Sequence, residues 1–313
     1  MDWKRFFDGL GMNGTHWQWR MMKMERRLQE WRDSVRPARP AGAKQFKFCD
    51  NCGAMLEKNE KICPRCEAKA PSWSGWKLRR TIGLVLPSWC PVSMLIIFAN
   101  LAGWLALGFF FGMKNMFAPR IDVLVRMGAL VPPMALHGQW WQVITYGYLH
   151  IGLWHIGFNM FALSQVGPVI EERIGAARFF VLYTLTLMGG AFADLLLRGS
   201  VPITIAGASG ALFGLIGFGV AYGYFSGGRG GKMQASFFGR WALYGFVFGF
   251  LIGADNIAHG GGFITGAAMG YIIQKEGELQ ASGAGVLWKI LAVALAVLTV
   301  AAYVALLGHG VLE

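Results

Sequence analysis

PVSMLIIFANLAGWLALGFFFGM, residues 91–113, runs without a single charged side chain. A hydrocarbon layer of about 30 Å takes roughly 20 helical residues to cross, so this segment is long enough to span a bilayer. Inside lipid a chain must satisfy its own backbone hydrogen bonds, which one segment alone achieves only as an α-helix. An all-α membrane protein is therefore the expected fold class. Composition points the same way: 55% of the 313 residues are hydrophobic and 15% charged, against roughly 25% charged in a soluble domain.

Downstream, no Asp, Glu, Lys or Arg lies between Arg126 and Glu171, and about the last 25 of those residues make a second span, rich in His and Asn. Further spans are expected at about 179–197, 207–225, 238–254, 256–274 and 287–308. That makes seven, of which the fifth is the shortest, with Arg240 and Asp255 at its margins. Upstream, residues 1–90 hold 18 Lys or Arg against 9 Asp or Glu and so supply +9 of the net +12. Beside membrane spans such an excess is the mark of a cytoplasmic flank rather than of a nucleic-acid partner. The connections at 168–178 and 226–240 carry Arg173, Arg178, Arg229, Lys232 and Arg240, which fits the same orientation. With seven spans the carboxyl terminus falls on the outer side. The first thirty residues show no uninterrupted apolar core of a cleavable signal, so the first span is expected to direct insertion.

The domain organisation expected is a basic, partly amphipathic segment at 1–45, a cysteine-bearing domain at 46–72, a linker at 73–90, a six-span core at 91–275 and a seventh span at 286–308. Within the first segment Trp17, Met21, Met24, Leu28 and Trp31 recur at helical spacing opposite Arg20, Lys23, Arg26, Arg27 and Arg32. Such a stripe suits an anionic membrane surface or packing within its own domain. In the second, Cys49, Cys52, Cys63 and Cys66 form C-x2-C-x10-C-x2-C, two tight thiolate turns that together supply the four ligands of a tetrahedral zinc. A cytoplasmic compartment disfavours the alternative of two disulfides. With every ligand from protein, such a zinc is structural, as in small zinc ribbons.

Polar residues inside a membrane are costly, which makes each a functional candidate. The second span carries His150, His155 and Asn159, the last two one turn apart on one face. The fourth opens with Gly207-Ala208-Ser209-Gly210 and the sixth with Asp255, Asn256 and His259. Spans two, four and six cross in one direction, so these clusters should meet at one depth, toward the outer face. A serine hydroxyl becomes a nucleophile when a neighbouring neutral histidine takes its proton, the roles open to Ser209 and His259. His155, Asn159 and the Ser209 backbone N–H are the donors an oxyanion needs. Gly210-x3-Gly214 and Gly262-x3-Gly266-x3-Gly270 allow close helix approach.

Together these motifs resemble the rhomboid family of intramembrane serine proteases, from about Trp140 to Ile273. The residues that carry the resemblance are His150-IGLW-His155-IGF-Asn159, Gly207-Ala208-Ser209-Gly210 and Ala258-His259-Gly260-Gly261-Gly262. The resemblance implies a six-helix core, here with one additional C-terminal helix, and a Ser-His dyad without a third acid. The dyad would hydrolyse a peptide bond in or near a substrate's transmembrane segment without a catalytic cofactor. By the same resemblance Ser209 is the nucleophile, His259 the base, His155 and Asn159 the oxyanion donors and His150 structural, while Asp255 has no catalytic part. Where many members carry Trp-Arg in the first loop, this chain has Trp141-Gln142; anchoring by that arginine is absent or replaced. Phe213, one turn beyond the serine, keeps an aromatic face for the histidine. From the basic flanks a multi-pass protein of a bacterial inner (plasma) membrane is expected, and the resemblance implies membrane-protein substrates within the lipid bilayer. The competing classes are a non-catalytic rhomboid-like binder of transmembrane helices, which has no need of Ser209 or His259, and a transporter, whose usual buried carboxylates the spans lack.

Overall fold

The computed structural model describes residues 46–49, 54–74, 90–279 and 284–309, together with Thr15 and Met22. The chain divides into two units, Met1–Arg80 and Thr81–Glu313. The stripe from Trp17 to Trp31, and Cys52, lie outside the described residues.

In the first unit β1 (Phe46–Phe48) pairs antiparallel with β2 (Met55–Glu57), Lys47 standing opposite Leu56. A second, shorter pairing joins Ile62 to Lys69. Leu56, Cys49 and Cys63 form the buried cluster, with Ala54, Cys66 and Ala70 against it.

The second unit is a helical bundle. Its long helices are α1 (Pro91–Phe111), α2 (Leu153–Ile174), α3 (Ala176–Arg198), α4 (Ser209–Ser226), α5 (Gly228–Leu251), α6 (Asn256–Leu279) and α7 (Ala284–Gly308). Among the described residues, α1, α3, α4 and the Gly285–Gly308 part of α7 are long and apolar enough to cross a membrane by composition alone. Helices α2, α5 and α6 match them in length but hold the charged and polar residues, Glu171, Arg240 and His259 among them. A membrane-embedded all-α fold is thus evident.

Glycine contacts fix the directions in which the helices run. A Cβ on Gly262 would collide with the carbonyl of Gly210, one on Gly266 with that of Gly214, and one on Gly270 would sit 2.8 Å from that of Phe218. Both members of each pair advance together, so α4 and α6 are parallel and their backbones touch along three turns. Helix α3 runs against α6, Gly190 meeting Ala258 while Gly189 meets Thr265. At the far end Glu171 of α2 accepts hydrogen bonds from the N–H groups of Val92 and Ser93, at 2.9 and 2.7 Å, and from the Ser93 hydroxyl at 2.7 Å. These satisfy orphan amides at the start of α1.

Several boundaries differ from the sequence-based expectation. The second helix begins at Leu153 rather than near residue 147, because Tyr146–Tyr148 form a 3-10 turn and Gly152 turns the chain at φ 94°. His150 therefore precedes the helix instead of lying on it. The connection expected at 168–178 is reduced to Gly175 (φ 84°), with Pro168 inside α2. Nor is 226–240 an extended loop: helix resumes at Gly228 and makes α5 24 residues long. Small residues allow this, as Gly231 packs on the Gly223 carbonyl. Gln234 then donates to Gly219 O at 3.2 Å and accepts from Arg173.

Between α1 and α2 the chain forms four short helices, Lys114–Phe117, Ile121–Arg126, Pro132–Leu136 and Gln142–Thr145. Gln142, fully buried, anchors this loop. It accepts from the Val131 N–H at 2.9 Å and donates to Gln139 at 2.7 Å. An amide thus holds the loop at the Trp141-Gln142 pair.

Candidate active site

The openings of α2, α4 and α6 converge because each helix begins after a turn that the sequence builds in. Before α4, Ile205 pairs with Leu130. Gly207, at φ 138°, donates its N–H to Tyr146 O at 3.0 Å. That φ is open to glycine and strained for other residues. A side chain there would also strike the His155 ring. Before α6, Asp255 accepts from the N–H groups of Ile257 and Ala258 at 3.1 and 3.2 Å, a helix cap. Its second oxygen accepts from Arg198 at 3.0 Å, and Arg198 also reaches Asp194 at 3.2 Å. The charged group at 255 is thereby committed to the helix start and to α3.

Ser209 Oγ and His259 Nε2 are 2.9 Å apart. On the other side of the ring His259 Nδ1 lies 3.1 Å from Asn256 Oδ1. An amide oxygen only accepts, so Nδ1 carries the proton and Nε2 presents a lone pair to the serine hydroxyl. The Asn256 amide is itself oriented, donating to Phe246 O at 3.4 Å. Phe213 stacks on the imidazole with ring centres 4.1 Å apart and planes 12° from parallel, and Phe246 meets it edge-on at 6.4 Å. The ring is therefore held by stacking and by hydrogen bonds to two neutral residues, Asn256 and Ser209.

His155 and Asn159 come to the space beside Gly207. A Cβ built on Gly207 would lie 2.9 Å from His155 Nε2 and 3.7 Å from Asn159 Nδ2. The Ile151 N–H donates to His155 Nδ1 at 3.3 Å, which leaves the ring proton on Nε2, facing that space. Asn159 Nδ2 is buried and has no hydrogen-bond partner among the described residues. A buried donor left unmade is expensive unless something arrives to use it. His150 stands apart: it is fully buried, edge-on to His155 at 5.1 Å, with neither ring nitrogen hydrogen-bonded among the described residues. Gly210 contributes space rather than chemistry, its Cα facing the Tyr146 hydroxyl and the Ala258 carbonyl.

A cavity of about 290 Å³ opens onto Ser209, lined by His155, Gly207, Ala254, Asp255 and Arg198 among others. Polar walls of this kind take water, where an apolar cavity of that size stays dry. Ser209 and His155 thus line a polar hollow at the start of these helices, with His259 hydrogen-bonded to Ser209 beside it. Sequence reasoning did not assign a role to Asn256, although three residues before His259 on a helix is the same face. Nor did it find the Arg198 bridge from α3, or the buried carboxylate of Asp194 on that helix, where the spans were expected to lack one.

Comparison with known proteins follows the same residues. The model of the Rhomboid domain matches residues 137–276. Rhomboid protease GluP of Bacillus subtilis (strain 168) is 34% identical over 183 residues, 56% of this chain and 34% of that protein. RHOMBOID-like protein 5 of Arabidopsis thaliana is 29% identical over 171 residues, 50% of this chain and 51% of that protein. Inactive RHOMBOID-like protein 8 of Arabidopsis thaliana is 32% identical over 168 residues, 48% of this chain and 43% of that protein. The chain spans about half or less of the length of each of these relatives.

Proposed function

We propose that this chain, which belongs to the rhomboid family, is a serine endopeptidase that cuts membrane-protein substrates in or near their transmembrane segments. The single observation that carries the reading is the 2.9 Å contact between Ser209 Oγ and His259 Nε2 at the wall of a polar cavity. In the proposed reaction His259 takes the hydroxyl proton as Ser209 Oγ attacks the scissile carbonyl carbon. The carbonyl oxygen becomes an oxyanion beside Gly207. There His155 Nε2–H, Asn159 Nδ2–H and the Ser209 N–H at the head of α4 donate to it. His259 then gives its proton to the departing amine, leaving an ester on Ser209. Water entering by the cavity attacks that ester and loses a proton to His259, which returns it to Ser209 Oγ as the ester bond breaks and the carboxylic acid product leaves.

Seven membrane crossings, with residues 1–90 on the cytoplasmic side, complete the proposal. This orientation rests on the basic residues Arg173, Arg178, Arg229 and Lys232 near the turns at Gly175 and Gly227. It sets the openings of α2, α4 and α6, and with them the cavity, toward the outer face. The competing reading is a non-catalytic binder of transmembrane helices; one relative carries the word inactive in its name. The retained serine and histidine in hydrogen-bonding reach favour the enzyme.

Cleavage of a single-span substrate by the chain in detergent or vesicles tests this. Ser209→Ala and His259→Ala should each abolish cleavage, and Asn159→Ala should lower it about 100-fold or more, the usual effect of losing one oxyanion donor. Full activity in Ser209→Ala would remove the serine from the chemistry.

A further inference from the structure

We propose that the first unit is folded around a single zinc ion held by Cys49, Cys63 and Cys66, with Cys52 as the fourth ligand by its place in the sequence. The Sγ atoms of Cys49, Cys63 and Cys66 all lie within 4.8 Å of one another. Cys49 and Cys66 are 3.7 Å apart. Four sulfurs at about 2.3 Å from a tetrahedral zinc stand about 3.8 Å from each other, whereas a disulfide brings them to roughly 2.05 Å. The Cys49–Cys66 pair thus has the edge length of a metal tetrahedron.

The two cysteine loops are copies of one device. Cys49 donates its N–H to Ala54 O at 2.9 Å, and Cys63 donates to Ala68 O at the same distance. Each bond spans five residues in a C-x-x-C-x-A segment, Cys49 to Ala54 and Cys63 to Ala68. In the second copy Glu67 takes a left-handed φ of 57°; the matching place in the first is Gly53, the residue that adopts such a φ without strain. In the sequence Cys52 corresponds to Cys66. The first copy supplies one described thiolate, the second supplies two, and the internal repeat identifies the missing one.

Charge gives an independent argument. Lys47, two residues before Cys49, is 2% exposed. Its ammonium donates to the carbonyls of Glu60 and Pro71 at 2.6 and 2.8 Å, and among the described residues no carboxylate pairs with it. A buried cation needs a counter-charge. Four thiolates around Zn2+ carry a net charge of −2, which supplies one. The metal also accounts for order in a unit whose only large buried aliphatic side chain, among the described residues, is Leu56, as in domains that fold only when loaded. All four positions being thiolate, this zinc has no open site and takes no part in hydrolysis.

The test is metal analysis of the full chain, purified in detergent and dialysed against metal-free buffer. One zinc per chain is expected, falling below a tenth in a Cys49→Ser, Cys63→Ser double variant. Replacement by Co2+ in the wild type should give the intense thiolate-to-cobalt absorption of a tetrahedral four-sulfur site, a readout that needs no variant to fold. Zinc retained in the double variant, iron in place of zinc, or a cobalt spectrum without thiolate bands would each overturn the proposal. None of these outcomes bears on Ser209.

Discussion

Histidine is a base for a serine hydroxyl only when its unprotonated nitrogen faces that hydroxyl, and here a neutral amide sets the tautomer. Asn256 Oδ1 accepts from Nδ1 of His259 while Phe213 stacks on its face. Asn256→Ala should leave the stacking intact but free the ring to turn. We expect turnover to fall about threefold to tenfold, the value of one neutral hydrogen bond of roughly 0.5–1.5 kcal/mol, with substrate binding unchanged; steady-state kinetics on a model substrate check both parts. At this scale the sequence was informative about chemistry and less so about support. Ser209, His259, His155 and Asn159 stood out as candidates because polar groups are rare inside membranes, and the structure brings them to one end of the bundle. Asn256 was not, since both it and Asp255 sit within one turn of His259. What separates them is which oxygen the cap at the start of α6 and Arg198 consume, a matter of three-dimensional contact. His150, grouped with His155 by spacing, is separated from it by the turn at Gly152.

Between elements the decisive contact is the backbone-to-backbone seam of α4 and α6, which sets how near the serine comes to the histidine. Gly266 lies one turn past Gly262, away from the chemistry, with its Cα against the Gly214 carbonyl. A side chain there must push the helices apart; overpacking of this kind costs about 1–3 kcal/mol. Gly266→Leu should therefore lower the thermal midpoint in detergent and also reduce turnover, whereas Gly277→Leu, which meets nothing nearby, should do neither. Thermal unfolding followed by intrinsic fluorescence, alongside cleavage assays, separates the two variants. The seam was readable beforehand as spaced glycines. Helix ends were less so: α5 begins ten residues before its apolar stretch, because Gly231 and Gln234 find partners on α4, and such a contact leaves no trace in hydropathy. The Gln142 anchor of the first loop shows the same limit, since an amide accepting from Val131 leaves no mark on the loop's apolar character.

For the whole molecule, the proposed reaction requires a hollow reachable from one side of the membrane, with the basic turns on the other. His137 and Arg229 are both exposed, in the first loop and just after the turn at Gly227. A membrane-impermeant maleimide applied to intact cells should label His137→Cys and leave Arg229→Cys unlabelled until the membrane is opened. The reverse pattern would invert the orientation drawn from the positive flanks. Membrane embedding and the all-α class followed from composition. Three helices nonetheless fall below the apolarity that marks a span, because α2 and α6 carry the site and α5 carries Arg240; function and hydropathy compete for the same positions. The measurement that bears most directly on the central claim is covalent labelling of the detergent-solubilised full chain by a fluorophosphonate, with the adduct located by mass spectrometry. A single phosphonylated residue, Ser209, is expected, with no labelling in His259→Ala. Labelling that persists in His259→Ala, or an adduct on any other serine, would contradict that claim.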